Sequence, residues 1–383
     1  MKRKVSSLIP IIIILAIAYF FFFDQEAEPT LTFVSDTDSL VVRYLDVGQA
    51  DATVFHLNDA DEEYVILYDV GDWRGEEVVD YLHDHQIDSI DLIIISHPHA
   101  DHIGQLKPIL EQFTVEEVWT NGAETDTDLF LTTMETLLAN DSIAYNEPNI
   151  GDTYEVGPLH IEVLHPDPAE LTGDLNNDSL SIMATFGEKK FLFTGDAGVK
   201  TEREIMAHFS HLEADILQLG HHGSNTSSDE AFIDAVNPAY AIYSAGLDNK
   251  YGHPSPEVVE LFKQKEIPLY GTIEDGTITV TTDGKKLDLV TEKNGDKLVK
   301  SKQDKDAEIA KKKEKAEVKT ISCIDVNKAT LDELRLIKHI NEERAEEIIE
   351  LRPLTSLDQL TNVNGIGPKR LEDIIEEDKA CIQ

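Results

Sequence analysis

The feature that most constrains this chain is the stretch of residues 97–102, which reads HPHADH and follows a strand-like apolar run. It places three histidines within six positions, in a chain that has 14 histidines among 383 residues. Divalent metals take N and O ligands from short turns, and two neighbouring ions need ligands from one turn aimed at both. The spacing lets His97 and His99 reach one ion, while Asp101 and His102 reach the other. The sequence therefore predicts a centre for two divalent ions.

Strand-like segments alternate with helical ones on both sides of this turn. The segments LVVRYLDVG, YVILYDVG, KKFLFTGD and ADILQLGHHGS read as strands that end in Gly, Asp or His, while GEEVVDYLHDHQI has helical spacing. Strands that end in ligand-rich loops and alternate with helices are typical of an α/β enzyme with its site at one edge of its sheets.

The segment HPHADH matches the HxHxDH signature of the metallo-β-lactamase superfamily. Six segments resemble, in order, the ComEC/Rec2-related hydrolases of that superfamily: LDVGQADA, LYDVG, NNDSLSIMATFG, FLFTGDA, LQLGHHGS and YGHPSP. The resemblance covers residues 38–292 and implies an αββα sandwich. It also implies a metal-dependent hydrolase that acts on phosphodiesters with two divalent ions, Zn or Mn.

The resemblance also implies roles for individual residues. Asp196 resembles the carboxylate that bridges both ions, and Asp69 resembles a residue that braces the metal loop. Asn177 or Asp178 stands where many members supply a further histidine. His221, His222 and His253 are candidates either for the metal shell or for proton donation to a leaving oxygen, and spacing does not distribute these roles. The expected metal ligands are His97, His99, Asp101, His102, Asp178, Asp196, His222 and His253, and the expected catalytic residues are Asp101, His221, His222 and His253.

Residues 321–383 resemble a ComEA-like helix-hairpin-helix domain, which is all-α. In NGIGPKRL two glycines permit a tight turn that aims backbone N–H groups at one phosphate, and a helix N-terminus follows. The expected DNA contacts are Gly365, Ile366, Gly367, Lys369 and Arg370. The earlier segment KHINEER departs from this pattern, and the domain has a net charge of −6. We expect weak, backbone-directed DNA binding, with a protein-docking module as the alternative.

The formal net charge of the chain is −41. Such a surface repels polyanions, so a nucleic acid has to be bound locally through metal or backbone amides. Adaptation to high salt or simple solubility explains the charge equally well. Residues 293–320 differ from the rest because they hold ten Lys against six Asp or Glu and no aromatic residue. They are typical of a solvated linker. No nucleotide cofactor is expected.

Residues 1–25 carry three basic residues followed by a nearly unbroken apolar stretch, which predicts a membrane anchor or signal with an exported body. The expected location is extracytoplasmic, either anchored by a single pass or secreted. The chain has two cysteines, Cys323 and Cys381, which flank the helix-hairpin-helix segment. In an exported protein this placement favours a disulfide over two free thiols.

These patterns together predict an exported metal-dependent phosphodiesterase. The preferred interpretation is a nuclease connected with DNA uptake or with processing of extracellular DNA. One alternative is a hydrolase of another phosphodiester, such as choline phosphate on a cell-wall polymer. Another is a non-catalytic DNA-binding competence protein.

Overall fold

The computed structural model describes residues 39–59, 62–247, 249–294, 323–377 and 379–382. Within these ranges, no helix is long and apolar enough to cross a membrane. The predicted anchor, residues 1–25, lies outside the described residues, as do all but the first two residues of the predicted linker, 293–320.

The described residues form two compact units. The larger spans residues 39–261 and 269–294, and the smaller spans residues 262–268 and 323–382. Strands of the larger unit are β1 (Ser39–Tyr44), β2 (Ala52–Asp59), β3 (Glu62–Val70), β4 (Ser89–Ile94), β5 (Thr114–Trp119), β6 (Ala144–Asn146), β7 (Thr153–Val156), β8 (Leu159–His165), β9 (Ser181–Phe186), β10 (Lys189–Phe193), β11 (Ile216–Gln218), β12 (Tyr240–Tyr243), β13 (Leu269–Gly271), β14 (Ile278–Thr282) and β15 (Leu287–Thr291).

The helices that follow lie between these strands in the chain. They are α1 (Glu77–Asp84), α2 (Leu106–Gln112), α3 (Asp128–Leu138), α4 (Val199–His208), α5 (Glu230–Val236), α6 (Pro256–Gln264) and α7 (Thr272–Asp275). Short 3-10 turns span Pro168–Glu170 and Gly220–Gly223.

The strands of the larger unit form two mixed sheets. The first has the order β15-β14-β1-β2-β3-β4-β5-β6, and the second has the order β13-β12-β11-β10-β9-β8-β7. In the first sheet the strands from β3 to β6 are parallel. In the second sheet the strands from β10 to β13 are parallel. Each sheet thus has a parallel half in which carboxyl ends of neighbouring strands share one edge.

Alternation along the strands explains why the sheets pack as they do. In β4, Leu92 and Ile94 belong to a core with Phe193 of β10, whereas Ile93 belongs to a second core with Leu82 of α1. Successive side chains point to opposite faces of a strand, so β4 is buried on both sides. On the second sheet, α4 contacts β8 and α5. The layers confirm the predicted αββα sandwich.

The smaller unit contains β16 (Ile324–Asp325), α8 (Leu331–Leu334), α9 (Glu342–Glu350), a 3-10 turn at Leu357–Asn362, α10 (Pro368–Glu376) and β17 (Ala380–Cys381). Its elements surround a core of buried aliphatic side chains that includes Leu334, Ile348 and Ile374. The expected helix-hairpin-helix fold is confirmed. The structure adds a short parallel pairing of β16 with β17, and the Cys323–Cys381 disulfide joins the same two ends.

Candidate metal centre and nucleic-acid interface

The histidine-rich turn begins where β4 ends. Its backbone folds back on itself, since the amides of His102 and Ile103 both donate to His99 O at 3.0 Å. Its far end is tied to the loop after β3 through Gly104 N, which donates to Gly71 O at 3.0 Å. The imidazoles of His97 and His102 are fully buried. The turn therefore carries its ligands into the protein rather than out to solvent.

Asp69 braces this turn, as the sequence predicted. It adopts a left-handed backbone at the end of β3, with φ of 55°. One carboxylate oxygen accepts from Ser96 N at 2.7 Å, and the other accepts from Ser96 Oγ at 2.8 Å and lies 2.8 Å from His102 Nδ1. The buried carboxylate thus fixes the His102 tautomer, with Nδ1 as donor and Nε2 free to bind a cation.

Asp196 is the centre of the cluster. It follows β10, and the preceding Gly195 has φ of 54°. A Cβ at Gly195 would lie 2.7 Å from Ser96 Cβ and 3.0 Å from Ser179 Cβ, so only glycine fits between the two loops. The tight turn points the Asp196 carboxylate at the histidine-rich turn across the two sheets.

The two Asp196 oxygens face different sets of side chains. His97 Nε2 lies 3.7 Å from Oδ2 and 2.8 Å from His99 Nδ1. On the other side, His102 Nε2 lies 3.4 Å from Oδ1, and His222 Nε2 lies 4.0 Å from the same oxygen. Two sets of possible ligands result, His97–His99–Asp196 and Asp51–His102–Asp196–His222, and Asp196 belongs to both.

Asp101 lies on the same side of the centre as His102 and His222. Its Oδ2 lies 3.5 Å from His222 Nε2, and its Oδ1 lies 4.0 Å from His102 Nε2. The side chain is one-third exposed, whereas its neighbours are buried. Asp101 is therefore the group through which this side of the centre opens toward solvent.

Four buried polar atoms of this centre lack a hydrogen-bond partner: Asp51 Oδ2, His102 Nε2, Asp196 Oδ1 and His222 Nε2. Buried polar atoms are rarely left unpaired because each costs about 1–3 kcal/mol. All four are nitrogen or oxygen donors of the kind that bind Zn²⁺ or Mn²⁺, and they converge on one point. The residues present therefore fit a divalent cation.

Buried carboxylates and imidazoles of the centre shift one another's pKa values. Burial lowers the pKa of His102, but the carboxylates of Asp196 and Asp69 outweigh it and hold that pKa well above its ordinary value. Burial likewise opposes ionisation of Asp196, yet His102 and His222 keep its pKa well below the usual range. The carboxylate is thus held ionised, which is the state that binds cations.

The structure gives different positions to His221 and His222, whose roles could not be told apart from their spacing in the sequence. Both have left-handed backbones, with φ of 52° at His221 and 56° at His222. His222 Nδ1 lies 3.1 Å from Ser244 O, which leaves Nε2 directed at Asp196. His221 Nε2 instead lies 3.8 Å from the other oxygen of Asp196. This left-handed turn therefore directs the His221 and His222 side chains to opposite sides of the Asp196 carboxylate.

Three expected ligands, Asp101, His253 and Asp178, belong to neither ligand set, and only Asp101 lies within 4.0 Å of nitrogen atoms of the second set. The His253 ring lies 5.5 Å from that of His221 and 6.3 Å from that of His222, so it borders the centre. Asp178 serves its own loop: Oδ1 accepts from Thr172 N at 2.8 Å, and Oδ2 accepts from Gly173 N at 2.8 Å. With both oxygens bonded there, the carboxylate braces its own loop, and its expected ligand role stays a prediction. Its neighbour Asn177 likewise bonds its own surroundings, accepting from Gly198 N.

Asp51 is the residue of the centre that the sequence analysis missed. Its side chain is 2% exposed and accepts from Gln218 Nε2 at 2.8 Å, while its second oxygen lies 3.2 Å from His222 Nδ1. The carboxylate helps to raise the pKa of His222 to about 9 against the effect of burial. A signal was present in the sequence, because Asp51 lies in LDVGQADA, one of the six segments that carry the family resemblance.

The second hairpin turn of the smaller unit has the geometry that its glycines predicted. Gly365 has φ of 83°, and Ile366 is buried beneath the turn. Gly367 is the N-cap of α10 and provides no side-chain cap. Arg370 Nη1 donates to Gly365 O at 2.5 Å, and Lys369 follows Pro368 in the first turn. Uncapped amides, basic side chains and the absence of acidic residues in the first turn of α10 suit an anion.

The first hairpin turn follows a similar backbone path without glycine. His339 takes the left-handed position, with φ of 67°. Its carbonyl accepts from Arg344 Nη1 at 2.8 Å, and its ring nitrogen Nε2 lies 2.6 Å from Asp373 Oδ2. The difference lies at the helix that follows, because the Asn341 side chain caps α9 by accepting from Arg344 N and two glutamates occupy the first turn. An anion is therefore disfavoured at the first turn.

Comparison with known proteins agrees with both units. The profile described as the metallo-beta-lactamase superfamily matches residues 45–246, just over half of the chain, and the profile of the helix-hairpin-helix motif matches residues 319–377. ComE operon protein 3 of Bacillus subtilis is 30% identical over 257 residues, which cover 62% of this chain and 32% of that protein. Recombination protein 2 of Haemophilus influenzae is 30% identical over 242 residues, which cover 62% of this chain and 28% of that protein.

A protein named deoxyribonuclease from Thioalkalivibrio is 44% identical over 61 residues, which cover 16% of this chain and 17% of that protein. The chain thus spans about a third or less of the length of these curated relatives. The profile match, the two packed sheets and the histidine-rich turn agree with one another. This chain belongs to the metallo-β-lactamase superfamily, with competence-type relatives and a helix-hairpin-helix motif in its C-terminal region.

Proposed function

We propose that this chain is a metal-dependent phosphodiesterase that cleaves DNA. The observation that carries the proposal is the pair of ligand sets that share Asp196 and contain four buried atoms without hydrogen-bond partners. A carboxylate placed between two sets of imidazoles is the arrangement that two divalent ions require. Bound there, Zn²⁺ or Mn²⁺ ions would supply Lewis-acid activation of water and of the phosphodiester.

The residues of the chain would hold and orient the reacting groups. Asp69 fixes the His102 ring, and the carbonyl of Ser244 fixes that of His222, so that each presents Nε2 to the centre. His97 and His99 would hold the ion on the other side. His253 borders the centre but belongs to neither ligand set, and burial lowers its pKa to about 4, so we assign it a hydrogen bond to the leaving oxygen as a neutral imidazole.

DNA is the proposed substrate because the smaller unit carries a turn suited to phosphate. The uncapped N-terminus of α10 beside Lys369 and Arg370 would contact the DNA backbone without reading sequence. The names of the relatives, which include a deoxyribonuclease and a recombination protein, support this choice. Contact through backbone amides also suits a strongly acidic chain, because it needs little positive charge.

We further propose that the protein works outside the cytoplasm. The disulfide between Cys323 and Cys381 supports this, since such bonds persist in oxidising compartments. Protease treatment of intact cells should then degrade the protein. Full protection until the cells are lysed would contradict this location.

The decisive experiment uses the full chain loaded with Zn²⁺ or Mn²⁺. Single-stranded DNA, duplex DNA and a chromogenic phosphodiester are offered in parallel, with metal-stripped protein as the control. We expect cleavage of DNA and of the small phosphodiester that disappears when metal is removed. Cleavage of choline phosphodiesters but not of DNA would assign a different substrate. DNA binding without any hydrolysis would leave a non-catalytic competence protein.

A further inference from the structure

Two large aromatic side chains of the larger unit are exposed. Trp73 is 58% exposed and Tyr251 is 61% exposed, whereas Trp119, the other tryptophan of the chain, is 1% exposed. Large rings usually contribute their area to a core, and exposed ones are frequent at binding surfaces. The position of these two rings relative to the metal centre therefore matters.

The two residues lie on different loops that border the centre. Trp73 N donates to Ala100 O at 3.2 Å, and Ala100 directly precedes Asp101, the group that opens toward solvent. The Tyr251 ring lies 5.7 Å from the His253 ring and nearly parallel to it, at 23°. The Trp73 backbone is thus anchored beside the histidine-rich turn, and the Tyr251 ring is stacked on the histidine that borders the centre.

Each ring has a cation beside it. Arg74 lies 6.0 Å from the Trp73 ring centre, and Lys250 Nζ lies 5.2 Å from the Tyr251 ring centre. Arg74 is held in place by Asp72, which accepts from Nε at 2.8 Å and from Nη2 at 2.9 Å. Asp72 is the main reason why the pKa of Arg74 is raised, and Asp101 and Tyr251 contribute less.

A ring next to a cation can bind a nucleotide in two ways at once. The ring stacks on the face of an unpaired base, and the cation attracts the neighbouring phosphate. Bases inside a duplex are already stacked on one another and leave no free face. In a chain with a net charge of −41, Lys250 also supplies local positive charge beside the Tyr251 ring, whereas the charge of Arg74 is offset by Asp72.

We propose that Trp73 and Tyr251 are stacking platforms that hold unpaired bases next to the phosphodiester at the metal centre. The inference rests on the proposed function and narrows its substrate to single-stranded nucleic acid or frayed ends. It assigns Arg74 and Lys250 to the phosphates that flank the reacting one.

The test compares three substrates of equal length: a single strand with bases, an abasic strand with the same backbone, and a duplex. The metal-loaded full chain is assayed as parent, Trp73→Ala, Trp73→Phe, Tyr251→Ala and Tyr251→Phe, with Leu247→Ala as the control. Leu247 is 80% exposed on the same loop as Tyr251 but has no ring. The parent should prefer the base-bearing strand over the abasic one by about tenfold or more. Each Ala variant should reduce that preference, and each Phe variant should retain most of it.

A binding measurement provides a readout that does not depend on turnover. Trp73 and Trp119 are the only tryptophans, so fluorescence quenched by a base must come from the exposed Trp73. Titration with a phosphorothioate single strand should quench the parent and leave Trp73→Phe unquenched. The abasic strand should quench neither protein.

The possible failures are distinguishable. Equal cleavage of abasic and base-bearing strands, with unchanged affinity in both Ala variants, would overturn the stacking proposal and leave the phosphodiesterase function standing. If the parent cleaves no phosphodiester at all, the proposed function fails. Quenching by the base-bearing strand would still support the platforms in that case, and its absence would remove them too.

Discussion

The metal centre and the second hairpin turn would contact phosphate in opposite ways. The metal centre consists of side chains from loops far apart in the sequence, and its unpaired atoms call for a cation. The hairpin turn consists of backbone amides from consecutive residues, which face an anion directly. A site made of side chains depends on residue type, so it can be lost while the fold remains. A site made of backbone depends on conformation, so it is lost only when the local fold changes.

Replacement of Asp196 by asparagine should have the largest effect. The bridging carboxylate is the only residue shared by both ligand sets, so its neutralisation weakens both sides at once. We expect metal-dependent cleavage to fall by more than about a hundredfold, since loss of outer partners alone costs about 10–100-fold. Elemental analysis should show loss of bound metal. Asp178→Asn is the matched control and should keep its ions, because that carboxylate braces its own loop. Normal metal content in Asp196→Asn would contradict the assignment.

Removal of the disulfide should affect only the hairpin region. Both cysteines lie in the smaller unit and are 58 residues apart in sequence, which corresponds to roughly 4 kcal/mol of stabilisation from loop closure. The double variant Cys323→Ser/Cys381→Ser should unfold that unit at lower denaturant concentration and lose DNA affinity, while metal content stays at the parent level. A single unfolding transition that shifts as a whole would show that the two regions are not independent.

Asp69→Asn tests how far the metal centre depends on a residue that touches no ion. The amide can present its NH₂ group to the His102 ring, which disturbs the tautomer that leaves Nε2 free. We expect metal affinity to fall by about 10–100-fold without loss of the fold. Asp91→Asn serves as the control, because Asp91 accepts from Val65 N within the first sheet. Equal metal affinity in both variants would mean that Asp69 is only a structural residue.

The smallest expected effect concerns the two hairpin turns. A Cβ at Gly367 would meet no atom within 4 Å, so Gly367→Ala should fold normally while its methyl group obstructs the approach of phosphate. Loss of about one hydrogen bond should lower DNA affinity roughly fivefold. Asn341→Ala at the corresponding position of the first hairpin should destabilise α9 by about 1 kcal/mol without lowering DNA affinity. The opposite ranking in a binding titration would move the contact to the first hairpin.

The sequence predicted features that depend on residue type, such as candidate metal ligands. It did not predict features that depend on conformation, such as hydrogen-bond partners and side-chain directions. The segment HPHADH predicted a metal-binding turn, because histidine and aspartate at that spacing have few other uses. The loop contacts of Asp178 could not be predicted, because an acidic residue in a loop does not reveal which amides it accepts from. The roles of His221 and His222 could not be divided, since their separation depends on two consecutive left-handed residues. Asp51 was missed because its partner Gln218 is 167 positions away in sequence.

The two hairpin turns differ in how well they suit an anion, and this difference has a kinetic consequence. If one turn binds phosphate and the other does not, the smaller unit neutralises a single phosphate. A plot of log affinity for a single strand against log salt concentration should then have a slope of only about −0.7. Such a contact dissociates rapidly and can form again at the next phosphate. The unit would then act as a sliding guide that raises the local concentration of the strand for the other unit of the same chain, rather than as a clamp.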